Sequence, residues 1–233
     1  MYSPYGFGMD STMLLLIPAV LLSMWAQARV QSTFSQYSQV GARGGVTADG
    51  VARMLLTSFG LGNMPINRVR GSLTDHYDPR DRTLNLSESV YGSRSIASIG
   101  VAAHEVGHAI QHSQSYGPLM LRNAIVPVVN FASSASMPLF IIGLMMGNSL
   151  LINLGILLFI GALTFHLVTL PVELDASSRA LKLLRETGTL APDELEGAKK
   201  VLNAAAWTYI AAALMAVLQL VRLIMIRNAR ERR

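Results

Sequence analysis

The sequence predicts a mainly α-helical membrane protein with about four spanning or near-spanning helices and a small α+β part that contains one β-hairpin. Of its 233 residues, 51% are hydrophobic and only 14% are charged. The mean hydropathy is +0.39. These values are too apolar for an ordinary soluble domain of this size. The apolar residues also fall into a few long stretches, and polar segments with turn and strand signals lie between them.

Three apolar stretches account for the spanning helices, at 13–28, 125–170 and 204–226. The middle stretch can hold two spans of about 20 residues each, with a break at 147–149. The first stretch is not preceded by the Lys or Arg that a signal peptide normally carries. We therefore expect a retained anchor helix, a central helical hairpin and a C-terminal apolar helix.

The polar segments contain both helix and strand signals. Two runs, 67–77 and 82–86, flank a proline-containing turn at 78–81 and predict the β-hairpin. Four helices are predicted around it: 48–58 with Thr47 as its N-cap, 96–112 with Ser95 as its N-cap, 172–186, and one that starts at 192 and runs unbroken into the last apolar stretch.

The helix predicted at 96–112 carries the segment His104-Glu105-Val106-Gly107-His108. Side chains four residues apart lie on one face of a helix, so both imidazoles can bind one metal ion. Neutral imidazole suits zinc, and Glu105 is placed to accept a proton from a water at the metal. The chain has no cysteine, so nitrogen and oxygen must hold the ion. The pattern predicts one Zn²⁺ per chain and a zinc metalloendopeptidase.

A third ligand must come from elsewhere in the chain. His112 lies eight residues from His104, about 12 Å along the helix, and cannot reach the same ion. Glu173, where an apolar helix meets a polar one, is the preferred ligand, although it could simply solvate the membrane boundary. Asp175 is about 200° further around a helix and should face elsewhere. His166, seven residues before Glu173, could approach the site as a ligand or could simply be an intramembrane polar group.

Four further residues are candidates for substrate binding or for support of the metal ligands. The run 82–86 could pair with an extended substrate as an edge strand. His76, in the hairpin, could contact substrate or stabilise an oxyanion, or could have a structural role beside Asp75. The candidates are His76, Asp175, Arg82 and Asn85.

Three segments in this order resemble the YugP-type bacterial membrane zinc metallopeptidases: 73–80, 104–112 and 171–177. The likeness extends from Trp25 to the last helix. The layout is similar to that of HtpX-like membrane gluzincins, in which a glutamate beyond a transmembrane hairpin completes the zinc site within a Glu-x-x-x-Asp pattern. The resemblance implies a zincin-like catalytic part and a ligand role for Glu173. Ser177 stands where that pattern has Asp, which would usually support a histidine ligand.

The catalytic region is therefore expected to be split by the membrane hairpin. The predicted division is an anchor helix at 1–28, a first catalytic part at 29–118, a transmembrane hairpin at 119–171, a second catalytic part at 172–203, and an apolar helix with a basic tail at 204–233. Two other functions stay open. One is an intramembrane-cleaving metalloprotease, which would need the motif inside a long apolar span. The other is a non-enzymatic, metal-stabilised membrane scaffold.

The charge pattern indicates the partners and the orientation. The net charge is +5, but the one dense basic run, 227–233, follows an apolar helix and is typical of a membrane flank, not of nucleic-acid binding. We expect protein or peptide substrates, membrane proteins among them, in a multi-pass cell-membrane protein with its site on the cytoplasmic side. A fully spanning last helix would then place the basic run outside, so an interfacial last helix or the inverted orientation remains open.

Overall fold

The computed structural model describes residues 11–232. A 3₁₀ turn at Ser11–Leu16 leads into the first helix. The elements are α1 (Ile17–Ser38), α2 (Ala48–Ser58), β1 (Ile66–Val69), β2 (His76–Asp78), β3 (Thr83–Ser87), α3 (Ile96–Ser113), α4 (Gly117–Met146), α5 (Ser149–Glu186) and α6 (Pro192–Glu231). The mainly α membrane fold with a small α+β part is confirmed.

Within residues 11–232, four helices are long and apolar enough to cross a membrane. They are α1 with its preceding turn, α4, α5 and α6, and their most apolar segments have mean hydropathies of 1.7 to 2.2. α6 is a single helix of 40 residues. Near its end, Arg230 donates to the carbonyl oxygens of Gly143 and Leu144 at the end of α4. The last helix therefore reaches the tip of the α4–α5 hairpin.

The hairpin turns where the sequence predicts it. α4 ends at Gly147, whose φ of 75° is a left-handed conformation that glycine adopts without strain. Asn148 then caps α5 by accepting hydrogen bonds from the backbone N–H groups of Leu150 and Leu151. The separate helix predicted at 172–186 is wrong in its start, because α5 continues through Pro171 to Glu186. Helices of this kind tolerate proline when neighbouring groups satisfy the freed backbone.

The sheet differs from the predicted simple hairpin. β2 and β3 form the expected antiparallel pair, and β1 adds to the other side of β3 in parallel. The run 67–77 is divided because Gly71 and Leu73 have φ values of 101° and 57°. β3 is therefore the central strand, and the edge-strand role expected for 82–86 is wrong, since both of its edges are already paired. β2 pairs only with β3, so β2 is an edge strand of the sheet.

The main core lies at the end of the molecule that carries the sheet. α2 and β3 pack against α3, and the last part of α5 and the first part of α6 close the cluster. Its fully buried members include Leu55, Leu56, Leu84, Leu86, Ile99 and Leu184. α3, with the His104 motif, runs through the middle of this core, so the motif is held on a rigid element.

Candidate metal centre

α3 presents the two motif histidines one turn apart. Ser95 begins the helix, and its side chain accepts a hydrogen bond from the Ser98 backbone N–H. The small and apolar residues of the first half of the helix are buried, which fixes the rotation of α3. The rings of His104 and His108 then meet edge to face, with centroids 4.7 Å apart.

A close helix approach brings α5 to these rings. A Cβ atom on Gly107 would lie 2.7 Å from the Ala176 carbonyl oxygen and 3.2 Å from the Ala176 Cα. Only a residue without a side chain allows the backbones of α3 and α5 to pass at this distance. The glycine inside the motif therefore sets the distance between the histidines and the carboxylate on α5.

The carboxylate of Glu173 lies against both histidines. Its Oε2 atom is 3.2 Å from His104 Nε2 and 3.4 Å from His108 Nε2. One ligand atom from each residue lies within 4.8 Å of the others, and no second group of this kind occurs in the part of the chain that the structure describes. His108 and Glu173 are buried and His104 is partly buried. Two imidazole nitrogens and a carboxylate oxygen are the donors that zinc uses in catalytic sites.

The hydrogen bonds of His108 indicate that its Nε2 atom is free to bind a metal. The Gln111 amide group donates to the Val172 carbonyl and to the Asp175 carboxylate, so its oxygen is directed at His108 Nδ1, 3.0 Å away. An oxygen acceptor requires a proton on Nδ1, which leaves the lone pair on Nε2. Burial lowers the pKa of His108, but the hydrogen bond to Glu173, the charges of Glu105 and Glu173 and the hydrogen bond to Gln111 together outweigh it, so the pKa lies above its usual value.

His104 has an equivalent support from Ser177. The Ser177 hydroxyl lies 3.1 Å from His104 Nδ1. Serine thus occupies the position at which the resemblance expects an aspartate, and it contacts the histidine with a neutral oxygen. Both imidazoles are oriented through Nδ1 with Nε2 toward Glu173, which is the arrangement expected of metal-binding histidines.

Arg122, in the first turns of α4, contacts the other oxygen of the same glutamate. Its Nη1 atom is 3.3 Å from Glu173 Oε1. This contact leaves Oε2 for the histidine side, so the carboxylate presents a single oxygen to the centre. The Arg122 Nε atom is buried and has no hydrogen-bond partner among the described residues.

Glu105 lies beside the triad and is fixed by the edge strand. The Tyr77 backbone N–H donates to Glu105 Oε2 at 2.9 Å. Glu105 is 8% exposed. Asp75, close by, is held by the backbone N–H and hydroxyl of Ser87. Burial raises the pKa of the Asp75 carboxyl, and the charge of Glu105 adds to the effect.

Two cavities meet at the triad and at Glu105. One, of about 300 Å³, is mostly apolar and lies between α1, α3 and α6; its wall includes Val30, Phe34, Val101, Val201, Leu202 and Ala205. The other, of about 150 Å³, is more polar and lies between β2 and α4; its wall includes His76, Tyr77, Arg122 and Asn123. Tyr209 of α6 lines both. The centre is thus open on two sides, as a cleft for an extended ligand requires.

A family model described as "Putative neutral zinc metallopeptidase" matches residues 12–228. The chain belongs to this zinc metallopeptidase family. The chain is also 52% identical over 212 residues to "Putative membrane protease YugP" of Bacillus subtilis (strain 168), which covers 91% of this chain and 94% of that protein. No solved structure matches the chain. The resemblance to YugP-type membrane zinc metallopeptidases is confirmed.

For this zinc metallopeptidase, the structure brings some predicted residues to the centre and leaves others away from it. His104, Glu105, His108 and Glu173 lie together, and His76 lines the polar cavity. Arg82 and Asn85 line neither of the two cavities that reach the triad. Asn85 instead bonds within the sheet to Asn67 and Thr83, and Arg82 has a φ of 55° in the turn before β3.

Three other predicted residues have clear positions. Asp175 lies on a different face of α5 from Glu173, as expected, but it reaches the site through Gln111 and is paired with Arg179. His112 bonds to the Tyr77 hydroxyl at 2.7 Å and is outside the triad. His166 is also outside the triad, about two turns before Glu173 on α5.

Three residues at the centre were missed by the sequence reasoning. Gln111 follows His108 by three residues, a spacing that places it on the same helix face. Tyr209 is a polar aromatic residue in an alanine-rich apolar stretch, where a polar group is a signal of function. Arg122, at the start of the membrane hairpin, had no local signal, because only the packing of α4 on α5 places it beside Glu173.

Proposed function

We propose that the chain is a membrane-bound zinc metalloendopeptidase of the gluzincin type, with one zinc ion per chain. His104, His108 and Glu173 would hold the ion, and Glu105 would act as the general base. The observation that carries this proposal is the meeting of two imidazole Nε2 atoms and one carboxylate oxygen at an open cleft, with a buried second carboxylate beside them.

The mechanism assigns proton transfer to Glu105. Zinc bound at the triad would polarise the scissile carbonyl and make an attacking water more acidic. Glu105 accepts the proton of that water and passes it to the nitrogen of the leaving amine, so the base is regenerated. The Tyr77 N–H occupies Glu105 Oε2, which leaves Oε1 to carry the proton.

Other polar groups of the cleft suit the developing negative charge on the carbonyl oxygen. Tyr209 and His76 both line the polar cavity, and each can present a hydrogen-bond donor there. The His76 Nδ1–H donates to the Thr74 carbonyl, which fixes the ring, so His76 can donate to an oxyanion from Nε2 only when both ring nitrogens carry a proton. We infer that one of these two residues stabilises the oxyanion and that β2, as the edge strand, pairs with the substrate backbone.

The position of the cleft indicates the substrate class. α1 and α6 form the apolar wall and are candidate spans, whereas α3, which carries the motif, is not one. A site at the membrane surface is therefore favoured over one inside the hydrocarbon. We infer that the substrates are proteins or peptides at the membrane, including segments of membrane proteins near the lipid boundary.

The proposed orientation places the site on the cytoplasmic side of a multi-pass protein. Several basic residues flank the spans at that end, among them Arg29, Arg122, Arg179 and Lys200. The end of α6 lies at the opposite end, with the hairpin tip. Because the chain has no cysteine, Arg80→Cys and Arg232→Cys can be labelled singly in intact cells. Protection of Arg80→Cys and labelling of Arg232→Cys from outside are expected, and the reverse pattern would contradict the orientation.

The decisive test of the function is Glu105→Gln. Peptide hydrolysis should fall by about 10²–10⁴-fold, the usual contribution of a general base, while one zinc per chain is retained. Glu88→Gln, on an exposed residue of the sheet end, is the matched control and should keep full activity. Undiminished cleavage of an unfolded test protein by Glu105→Gln would overturn the mechanism. Stoichiometric zinc with no hydrolysis by the unaltered chain would instead support the scaffold function.

A further inference from the structure

A second cavity system lies on the other side of the α1–α6 seam. It is a groove of about 200 Å³, here named the tryptophan groove, and it is lined by Trp25, Arg29, Lys200, Asn203, Ala204 and Trp207. None of these residues lines either cavity of the metal centre. The groove is therefore separate from the site described above, although α1 and α6 form walls of both.

The tryptophan groove lies where two candidate spans leave the apolar layer. The apolar stretch 13–28 ends directly before Arg29, and the stretch 204–226 begins four residues after Lys200. The rings of Trp25 and Trp207 meet edge to face at 5.5 Å and are 49% and 41% exposed. Tryptophan is enriched at the headgroup level of a bilayer, because its ring is apolar and its N–H is polar.

The two cations of the groove have no carboxylate partner. No Asp or Glu oxygen of residues 11–232 lies within 4.0 Å of Arg29 or Lys200, whereas the neighbouring Lys199 pairs with Glu196 at 3.4 Å. The Lys200 ammonium lies only over the Tyr37 ring, 5.9 Å from its centroid. Unpaired cations at headgroup level attract phosphate, and the Asn203 amide adds a neutral donor.

We propose that the tryptophan groove binds the phosphate of an anionic phospholipid headgroup. Arg29 and Lys200 contact the phosphate from two helices, and the acyl chains lie along Trp25 and Trp207 toward the apolar layer. Because α1 and α6 also enclose the apolar half of the metal cleft, a lipid bound at this seam fixes the depth of that cleft relative to the membrane surface.

The chain supplies its own reporter for this site. Trp25 and Trp207 are its two tryptophans, so intrinsic fluorescence reports on the groove alone. The full-length protein in detergent is titrated with brominated phosphatidylglycerol or with brominated phosphatidylcholine of the same chain length. Phosphatidylglycerol should quench the emission at clearly lower concentration. The double variant Arg29→Gln, Lys200→Gln should weaken the apparent affinity for phosphatidylglycerol about 30-fold, about 5-fold for each cation. Its apparent affinity for phosphatidylcholine should change little.

Matched variants separate this site from general charge effects. The double variant Lys182→Gln, Lys199→Gln removes the same total charge from the sheet end of the molecule. Each of these lysines is paired with a glutamate, so the affinity for phosphatidylglycerol should stay unchanged. Arg29→Lys with Lys200→Arg keeps both charges and should retain the affinity within a few-fold. Equal quenching by the two lipids, or unchanged phosphatidylglycerol affinity in the double glutamine variant, would overturn the proposal. Displacement of the lipid by an equal concentration of inorganic phosphate would overturn the lipid assignment.

Discussion

The two ends of the molecule use apolar residues in different ways. At the sheet end, Leu84 and Ile99 are 0% and 1% exposed within one large core. Along the hairpin, Phe131 and Met145 are 72% and 83% exposed. The buried cluster there is small and consists of Phe140, Ile152, Ile156 and Leu223. Apolar side chains therefore drive packing at one end and face the lipid at the other.

Helix contacts in the hairpin depend on small and polar residues instead. A Cβ atom on Gly155 would lie 2.8 Å from the Phe140 backbone nitrogen. The Ser136 hydroxyl donates to the Gly155 carbonyl at 2.8 Å. This is the packing expected where lipid tails compete equally for apolar surface. α5 belongs to both ends and carries Glu173 between them, so the metal centre depends on the two kinds of packing at once.

The largest expected effect comes from truncating equivalent apolar residues at the two ends. Leu84→Ala should destabilise the protein by about 2–5 kcal/mol, because it leaves a cavity in a close-packed core. Phe131→Ala removes a larger side chain but should change stability by only about 0.5 kcal/mol or less, because the Phe131 ring is exposed in the folded protein as well as in the unfolded one. Thermal unfolding of both variants in the same detergent checks the contrast, and equal losses would contradict it.

A glycine-to-alanine pair tests the packing at the point where the two ends meet. Gly107→Ala places its Cβ against the Ala176 carbonyl and should cost about 1–3 kcal/mol. It should also weaken zinc binding, because α5 must move and takes Glu173 with it. Gly161→Ala, in the membrane part of α5, has its nearest neighbour at 4.0 Å and should be neutral or slightly stabilising. The two measurements are zinc affinity by chelator competition and the midpoint of unfolding. If Gly107→Ala changes neither of them, α3 and α5 do not depend on this close approach.

Local sequence signals predicted much of this centre. The Ser95 cap and the four-residue histidine spacing predicted α3 and its orientation, and the polar boundary of an apolar stretch indicated Glu173. Each of these signals acts within one helix, so its prediction does not depend on tertiary contacts. Tertiary contacts decided the rest. β1 pairs in parallel with β3, which is not the next strand in the sequence. α5 continues through Pro171 as one helix. Arg122 contacts Glu173 only because α4 packs against α5.

A smaller effect is expected from the hydrogen bonds that orient the histidines. Gln111→Leu removes the acceptor of His108 Nδ1 and the link to Asp175. Loss of such support typically lowers metal affinity about 10–100-fold. Gln114→Leu is the matched control, because Gln114 is an exposed residue three positions further along the chain and its side chain bonds to Arg179 and not to His108. Chelator competition should show the loss for Gln111→Leu alone, and equal zinc affinities of the two variants would contradict the role of Gln111.

The smallest effect, and one of opposite sign, is expected at Ser177. Ser177→Asp would give His104 Nδ1–H a charged acceptor, and charge-assisted hydrogen bonds are roughly twice as strong as neutral ones. The longer side chain has room, because Ser177 lines the cavity of about 300 Å³. Zinc affinity should rise about 5-fold, given roughly 1 kcal/mol for the stronger bond, whereas Ser177→Ala should lower it by a similar factor. If both variants weaken zinc binding, the fit of the site to a hydroxyl, and not its charge, determines how His104 is held.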